Sequence, residues 1–476
     1  MRRLGMVAAT LAGVLLLAGC AGTGDTAPAA DPGHYAGTLW AQRPVVNLSY
    51  DVSPDLTSAT GRETGTFTPD APTCELVFRA WPNEPTMAKA GDALTVTDTS
   101  VDGRPVTATT EADGAGDGAP PTLIRLPLNS CVNAGQPVKF DLGFSVTLGR
   151  DADERTGYSA KTRTAWLGTA FPLLSWVRGQ GWTTDPAVNM NGESVVSEDF
   201  ALSLSVTAPA GMAVQGAGSE TGTTPGPRPG TTTHHYSAPA LRDVTVAFGD
   251  YRVQTEDING VRVHLATPAS GSKADPSEWS NQLRHAITGL SAVFGPFPYS
   301  DLWVSITPGQ GDGTEYPDAL QFSDSKSKDL PSLVAHEVSH QWFYALVGNN
   351  QSRDPWLDES LATMGEALVG DDGDYYTSFD VPDKVAGKMG RPMTYWAKHG
   401  GFDRYTDGVY NQGAHVLLRA RSQVGAPAFD SALRGYVTAE AHRVATPDDF
   451  ARAFAGLPSV VTDLRSAGAF DGADQE

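Results

Sequence analysis

Along the first half of the chain, apolar and polar residues alternate in short segments separated by Gly, Pro, Asn and Asp. Examples are CELVFRAW, PVKFDLGFSVTL, FALSLSVTAP, VTVAFGDYRV and VRVHLATP. A period of two between turn residues is typical of half-buried antiparallel strands. We therefore predict a β-rich domain over residues 37–265. Within it, GAGSETGTTPGPRPGTTTHH (216–235) is expected to form a long hairpin loop or a disordered excursion.

Beyond about residue 270 the pattern becomes helical. SEWSNQLRHAITGLSAVFGPF predicts a helix that ends at Gly295, and DLWVSITPG predicts a strand. Further helices are predicted in PSLVAHEVSHQWFYALVG, PWLDESLATMGEALVG, YNQGAHVLLRARSQVG and APAFDSALRGYVTAEAH. Gly follows several of these segments, as is common after helix C-termini, and Asp354-Pro355 is a good start for the second. The predicted fold class is α+β, with a mainly helical domain over residues 266–476.

The N-terminal segment MRRLGMVAATLAGVLLLAGC has a basic start and a short apolar run, as secretory signals have. It ends in Leu-Ala-Gly-Cys, which resembles the cleavage box of bacterial lipoproteins. We predict a signal peptide over residues 1–19, a lipid on Cys20, and a flexible tether over residues 20–36. The protein would then be held outside the bacterial cytoplasmic membrane by its lipid. An ordinary signal peptide that ends near a cysteine is the alternative.

The cysteine content and the net charge limit the disulfides and the partners that this chain can have. If Cys20 carries lipid, Cys74 and Cys131 allow one disulfide, which would stabilise the fold by about 4 kcal/mol through loop entropy. Two separate buried thiols are the alternative. The net charge is −21, from 34 basic and 55 acidic residues. Because phosphate binding needs a basic face, we expect no nucleic-acid partner.

The pentapeptide HEVSH (336–340) places three polar residues inside an otherwise apolar helix. Residues four apart share a helix face, so His336 and His340 present two imidazoles side by side. Glu337 lies next to them and is near enough to reach a metal-bound water, which is the physical basis of the H-E-x-x-H motif. A buried helix whose polar groups are satisfied by neighbouring side chains is the alternative.

The following predicted helix, DPWLDESLATMGE, supplies a third ligand. A short turn over residues 348–354 would fold this helix back on the first and bring Glu359 to the two histidines. Two His and one Glu form a set that tetrahedral zinc accepts while it keeps a fourth position for water. Glu366 lies two helical turns after Glu359, on the same face. It could hold a ligand histidine through a hydrogen bond, or it could be a solvated surface acid.

These segments resemble the zinc signature of peptidase family M1, the aminopeptidase N-type gluzincins. The resemblance includes HEVSHQWFYALVGNN and DPWLDESLA, and it extends to GTEYPDALQF (313–322), VYNQGAHVLL (409–418) and LRGYV with ATPDDF. In the β half, LVFRAWPN and LRDVTVAFGDY also match. The resemblance implies a thermolysin-like catalytic domain behind the β domain, one Zn²⁺ ion, and peptide substrates.

Carried over residue by residue, the resemblance makes His336, His340 and Glu359 the zinc ligands and Glu337 the general base. It makes Tyr410 the hydroxyl that stabilises the developing oxyanion. Glu315 becomes the acceptor for the free α-amine of a substrate. The expected activity is release of N-terminal residues from peptides.

Two departures from the family pattern weaken strict aminopeptidase behaviour. Thr314 replaces the family's methionine, and the β half has no clear match to the family's T-Q-x-E segment, which is expected within residues 161–172. We also expect no helical domain that closes over the site, so longer chains could enter. The alternatives are an endopeptidase or oligopeptidase on the same scaffold, and a lipid-anchored binding protein that retains zinc without turnover.

Overall fold

The α+β class predicted from the sequence is confirmed by the computed structural model. It describes residue 35 and residues 39–112, 118–152, 155–192, 194–308 and 312–471. Strands dominate its N-terminal part and helices its C-terminal part. The predicted signal peptide, Cys20 and nearly all of the predicted tether lie outside the described residues.

The N-terminal domain contains eighteen described strands and one short α-helix. They are β1 (Val45–Val52), β2 (Ser58–Phe67), β3 (Thr73–Arg79), α1 (Pro85–Ala90), β4 (Ala93–Val101), β5 (Arg104–Pro105), β6 (Thr109–Glu111), β7 (Leu123–Val132), β8 (Val138–Thr147), β9 (Thr156–Ser159), β10 (Thr164–Gly168), β11 (Leu173–Leu174), β12 (Trp176–Val177), β13 (Gly181–Trp182), β14 (Phe200–Pro209), β15 (Ala213–Gln215), β16 (Ser219–Pro225), β17 (Thr231–Leu241) and β18 (Thr245–Gly249).

An eight-stranded sheet in the order β16-β17-β14-β1-β2-β8-β4-β5 forms the larger layer of this domain. Two four-stranded sheets, β15-β18-β10-β9 and β11-β3-β7-β6, accompany it. The alternation read from the sequence is visible in β1, where Val46, Leu48 and Tyr50 are buried and the residues between them are exposed. A disulfide between Cys74 and Cys131 joins β3 to β7.

The C-terminal domain combines a mixed sheet with a helical body. Its elements are β19 (Tyr251–Ile258), β20 (Val261–Pro268), α2 (Pro276–Phe294), β21 (Asp301–Thr307), β22 (Gly313–Tyr316), β23 (Ala319–Ser323), α3 (Leu330–Ser339), β24 (Val347–Asn349), α4 (Glu359–Val369), α5 (Gly373–Thr377), α6 (Met393–Lys398), α7 (Gly401–Tyr405), a π-helical turn (Thr406–Asn411), α8 (Gln412–Val424), α9 (Ala426–Glu440), β25 (Arg443–Ala445), α10 (Pro447–Ala453) and α11 (Pro458–Ser466).

The domain boundary lies near residue 250 rather than at 265. Strands β19 and β20 belong to the five-stranded sheet β19-β20-β21-β23-β22, in which β20 runs parallel to β21. Ile258, Val263 and Leu265 are buried in the same core as the helices of the C-terminal domain. The sequence pattern identified both strands but placed them in the N-terminal β domain, because alternation carries no information about the pairing partner.

The segment 216–235 is neither a long loop nor an excursion. Most of it forms β16 and the start of β17, which pair in an antiparallel hairpin. The Gly and Pro content of this segment suggested a loop. In the structure, Gly222 instead lies within the hairpin, at an irregularity of the strand pairing where its φ is 134°, a conformation that favours glycine. The Gly- and Thr-rich composition therefore reflects an exposed edge hairpin.

The two domains are joined through a buried arginine of the β domain. Arg242 donates from Nε to the carbonyl of Ala345 at 3.0 Å, and its guanidinium lies 3.1 Å from the carboxylate of Asp199. Tyr35, which falls in the predicted tether, is also buried and donates to the carbonyl of Pro296 at 3.1 Å. The end of the predicted tether is thus packed on the C-terminal domain at this residue.

Candidate active site

The two helices that carry the metal motif pack against each other at the centre of the C-terminal domain. The first, α3, ends at Ser339 and is capped by His340, so it is shorter than the sequence predicted. Residues after it form turns that lead into β24, and Tyr344 there has a φ of 103°. Asp354-Pro355 begins a short 3₁₀ turn, and α4 itself begins at Glu359 behind Asp358.

His336, His340 and Glu359 converge on one point. Their metal-binding atoms form a group that could hold a metal ion. The two Nε2 atoms of His336 and His340 are 3.2 Å apart. Glu359 Oε2 lies 3.3 Å from the first and 3.5 Å from the second. The structure therefore brings together the three ligands that the sequence predicted.

The hydrogen bonds on the far side of each ring fix which nitrogens face this point. His340 Nδ1 lies 3.1 Å from the carbonyl oxygen of Phe343, which can only accept, so Nδ1 carries the proton. His336 Nδ1 lies 3.1 Å from the carboxylate of Glu366 and donates to it in the same way. In their neutral forms both rings thus present unprotonated Nε2 atoms to Glu359.

Three lone-pair atoms that face one another in a buried site require a cation. Glu359 Oε2 has no hydrogen-bond partner within the described part of the chain. Burial works to lower the pKa of His340, but the charges of Glu315 and Glu359 outweigh it and raise that pKa to about 9. Ligands about 2.0–2.1 Å from a tetrahedral zinc ion lie about 3.3–3.4 Å from one another, which is the spacing found here. The donor set and its spacing fit zinc.

Glu337 lies beside this cluster and is 6 % exposed. Burial raises the pKa of its carboxyl to about 7, against the lowering effect of His336 and His340. The strand β22 passes directly over it: a Cβ placed on Gly313 would lie 2.5 Å from Glu337 Oε1. A side chain at residue 313 would push this carboxylate aside, so Gly313 leaves room for Glu337 in the observed position.

Tyr410 stands on the π-helical turn that precedes α8. Its ring is stacked with that of His336, with centroids 5.7 Å apart and an interplanar angle of 8°. Burial and the nearby Glu359 raise the pKa of Tyr410 well above its ordinary value. The hydroxyl therefore stays protonated at neutral pH and is available as a hydrogen-bond donor at the cluster. π-Helical turns of this kind often occur at functional sites.

Glu315 lies on β22 and is 2 % exposed. One of its oxygens, with atoms of Glu337 and His340, forms a second group of closely spaced ligand atoms. Its Oε1 accepts a hydrogen bond from Gln351 Nε2 at 3.1 Å. Glu315 is also among the charges that raise the pKa of the buried Arg155 guanidinium, against the opposing effect of burial. Glu315 is therefore a buried carboxylate that faces the catalytic cluster.

Glu366 is 8 % exposed and is not a solvated surface acid. Besides its contact with His336, its Oε1 accepts a hydrogen bond from the hydroxyl of Tyr376 at 2.9 Å. Both carboxylate oxygens are thereby engaged, which fixes the orientation of the carboxylate against the imidazole.

Three contributors to this site were not identified from the sequence: Gln351, Arg155 and Tyr376. Gln351 stands in NNQSRD, where polar residues indicate a turn, and Arg155 follows two acids in a segment that reads as a solvated loop. Tyr376 lies on α5, just after α4, and no sequence motif marks it. The segment expected to hold a T-Q-x-E equivalent packs near β22, since a Cβ on Gly168 would collide with Tyr316.

Comparison with known proteins agrees with this geometry. Residues 317–466 match the model of the peptidase family M1 domain. Over 143 residues the chain is 29% identical to aminopeptidase M1-D of Oryza sativa subsp. japonica, covering 28% of this chain and 16% of that protein. Over 156 residues it is 28% identical to aminopeptidase M1 of Arabidopsis thaliana, covering 30% of this chain and 18% of that protein. The matches thus span only a small part of these longer relatives.

The fold has a solved counterpart in the M1 zinc metallopeptidase of Deinococcus radiodurans. The TM-score is 0.65 at 18% identity, over 90% of this chain and 96% of that chain. A variant of that enzyme bound to a Tyr-Ser-Ala substrate gives a TM-score of 0.64. At this identity the likeness establishes the shared two-domain fold. The family resemblance read from the sequence is confirmed over residues 317–466, which match the peptidase family M1 domain.

Proposed function

We propose that the protein is a zinc-dependent aminopeptidase that releases N-terminal residues from peptides. The observation that carries this proposal is the convergence of His336, His340 and Glu359 at the spacing of a tetrahedral zinc site, with the carboxylate of Glu337 beside it. The relatives named aminopeptidases, and the structural neighbour bound to a tripeptide substrate, support the same reaction.

The ligand set suits a catalytic rather than a structural metal, because three protein ligands leave one position open. Zinc in such a site supplies a Lewis acid that lowers the pKa of a bound water and polarises the carbonyl of the substrate. His336, His340 and Glu359 would hold the ion, and Glu366 would orient His336.

Glu337 is the general base. Its buried carboxyl has a pKa near 7, so it can take up a proton and release it again at neutral pH. It removes a proton from the attacking water and then delivers that proton to the nitrogen of the leaving amine. The absence of a side chain at Gly313 leaves the carboxylate room in this position.

Tyr410 stabilises the negative charge that develops on the carbonyl oxygen. Its pKa is raised well above the ordinary value, so it keeps the proton that it donates in this hydrogen bond. A donor fixed where charge appears in the transition state lowers the barrier without first binding the ground state tightly.

Glu315 is the acceptor for the α-amine of the substrate. A carboxylate that is only 2 % exposed is costly unless a cation or hydrogen-bond donors meet it. A protonated α-amine is such a cation, and the short distance from Glu315 to the catalytic cluster would place the first peptide bond at Glu337.

We further propose that the protein acts outside the cytoplasmic membrane, attached through a lipid on Cys20. The sequence Leu-Ala-Gly-Cys after an apolar run supports this site of modification. A disulfide such as Cys74–Cys131 is typical of proteins in oxidising compartments. No helix in the described part of the chain is long and apolar enough to cross a membrane.

The proposal is tested with a peptide and its N-acetylated counterpart, each incubated with and without a zinc chelator and followed by mass spectrometry. The free peptide should lose residues one at a time from its N-terminus, and the acetylated peptide should be cut far more slowly. The chelator should stop both reactions, and added zinc should restore them. Equal rates or internal cleavage would favour an endopeptidase, and no cleavage by the zinc-loaded protein would favour a binding protein.

A further inference from the structure

The side chain of Gln351 is completely buried between the β domain and the amine site. Its Oε1 accepts a hydrogen bond from the backbone N–H of Val195 at 2.8 Å, and its Nε2 donates to Glu315 Oε1 at 3.1 Å. Gln351 has an exposed fraction of 0% and Glu315 one of 2%. The amide thus bridges a backbone group of the β domain and the carboxylate that faces the catalytic cluster.

Two hydrogen-bond partners, Val195 and Glu315, leave the Gln351 amide only one orientation. The carboxyl of Asp358 also accepts from the NH₂ group of Gln351 and requires the same orientation. The N–H of Val195 can only donate, so it requires the amide oxygen, and the carboxylate of Glu315 can only accept when ionised, so it requires the NH₂ group. Turning the amide over would set donor against donor and acceptor against acceptor. Gln351 is therefore locked at both ends.

We infer that Gln351 is a positioning residue for substrate recognition, which holds the carboxylate of Glu315 in the orientation that receives the α-amine of a peptide. This inference rests on the proposed function of Glu315.

The charges around Glu315 explain why such a residue is needed. One oxygen of Glu315 lies within 4.8 Å of an oxygen of Glu337 in this buried site, so the two carboxylates repel each other when both are ionised. Without the hydrogen bond from Gln351, the carboxylate of Glu315 would rotate away from Glu337 and would no longer face the position of the substrate amine. A hydrogen bond between a donor and a charged group is strong enough to prevent this rotation.

The inference predicts a selective defect in binding. Replacing Gln351 by Met removes all of these hydrogen bonds at similar side-chain length, so KM for free peptides should rise about 10- to 100-fold, the effect of losing the charge-assisted hydrogen bond to Glu315. The value of kcat should change by less than about threefold, because Glu337, Tyr410 and the metal ligands are untouched. Slow cleavage of the acetylated peptide should be unaffected, since that peptide has no amine to bind.

Two further variants make the test specific. Gln351→Glu keeps the shape of the side chain but sets a carboxylate against Glu315, so it should raise KM for free peptides at least as much. Gln321→Met is the matched control. Gln321 is 1% exposed and donates to Thr245 of the β domain, but among the described residues its side chain makes no hydrogen bond to Glu315, so KM should stay unchanged. Thermal melting of all three variants separates binding defects from unfolding.

The outcomes distinguish this inference from the proposed function. If the unmodified protein prefers free over acetylated peptides and Gln351→Met retains its KM and its preference, the positioning role is wrong while the aminopeptidase assignment stands. If the unmodified protein cuts both peptides equally, the proposed aminopeptidase function is wrong, whatever the result for the Gln351 variants. Failure of both Gln351 variants to fold, with Gln321→Met folded, would make Gln351 a residue required for folding and would overturn the inference.

Discussion

Glu366 holds His336 by the ring nitrogen that points away from the metal position, with Oε2 3.1 Å from Nδ1. The other oxygen of Glu366 accepts a hydrogen bond from Tyr376, so the carboxylate cannot rotate freely. A buried acid two helical turns beyond Glu359 on α4 therefore sets both the tautomer and the orientation of a metal ligand.

This relationship predicts that Glu366→Gln weakens zinc binding by about 10- to 100-fold, the usual effect of losing a partner of a ligand histidine. The amide can still contact the ring but carries no charge to strengthen the ligand. Competition with a chromogenic chelator measures the affinity. Asp371→Asn, an exposed acid just beyond α4, is the control. An unchanged affinity in Glu366→Gln would limit Glu366 to a structural role.

Tyr410→Phe should lower kcat by about 10²- to 10³-fold with little change in KM, because the hydroxyl hydrogen bond forms mainly in the transition state. The ring and its stacking on His336 remain in place. Steady-state kinetics on an aminoacyl fluorogenic substrate supplies both constants. Tyr375→Phe, at a side chain that is 52% exposed, should change neither. A rise in KM at constant kcat would instead identify Tyr410 as a binding residue.

Gly313→Ala should abolish most activity while the zinc content stays the same. The added Cβ would lie 2.5 Å from Glu337 Oε1, and its three nearest atoms all belong to Glu337, so the carboxylate has to move while the ligand residues themselves are unchanged. Gly435→Ala is the matched control, since a Cβ there meets no heavy atom within 4 Å. Activity of the Gly313 variant close to that of the control would show that Glu337 tolerates displacement.

Asp301 predicts a pH-dependent contribution to stability. Burial works to raise the pKa of its carboxyl, but hydrogen bonds from His264, Ser219 and Arg262 outweigh it and lower the pKa to about 2 from 3.8. A carboxyl whose pKa is lower in the folded than in the unfolded state stabilises the protein at pH values above its unfolded-state pKa, here 3.8. This stabilisation is lost as the pH falls toward 2. Because the partner Arg262 is 58% exposed, solvent screens part of the interaction. We therefore expect the ionised Asp301 to stabilise the folded protein by about 1–2 kcal/mol at neutral pH.

Urea denaturation of Asp301→Asn checks this expectation. The variant should be less stable than the unmodified protein at pH 7, and the difference should shrink as the pH falls from about 4 toward 2. Asp98→Asn, at a side chain that is 67% exposed, should show little difference at any pH. A difference for Asp301→Asn that is independent of pH would mean that charge is not the source of the stabilisation.

The metal site was accessible from sequence because its geometry is local. The spacing of His336 and His340 on one helix and the proximity of Glu359 on the next follow from helical periodicity and a short connection. Tyr410 and Glu315 were located through resemblance to a family, since no local rule relates them to the histidines. Both lie at the cluster in the folded protein.

What the sequence missed depends on contacts between distant segments. The strands of residues 251–268 were read correctly, but their partner is β21, and pairing depends on the tertiary fold. From sequence, Gln351 is expected to lie in a turn. Its role depends on Val195 and Glu315, which lie on opposite sides of the domain interface and contact the two ends of its amide only in the folded protein. The π-helical turn that carries Tyr410 likewise has no sequence pattern of its own.

The most direct test of the account is Glu337→Gln, analysed for zinc content and for turnover of a free peptide in the same preparation. Gln cannot accept the proton of the attacking water, while His336, His340 and Glu359 remain able to bind the metal. We predict one zinc ion per chain in both proteins and loss of nearly all turnover in the variant. Retention of more than a few per cent of the activity at unchanged zinc content would contradict the central claim that Glu337 is the general base of a zinc peptidase.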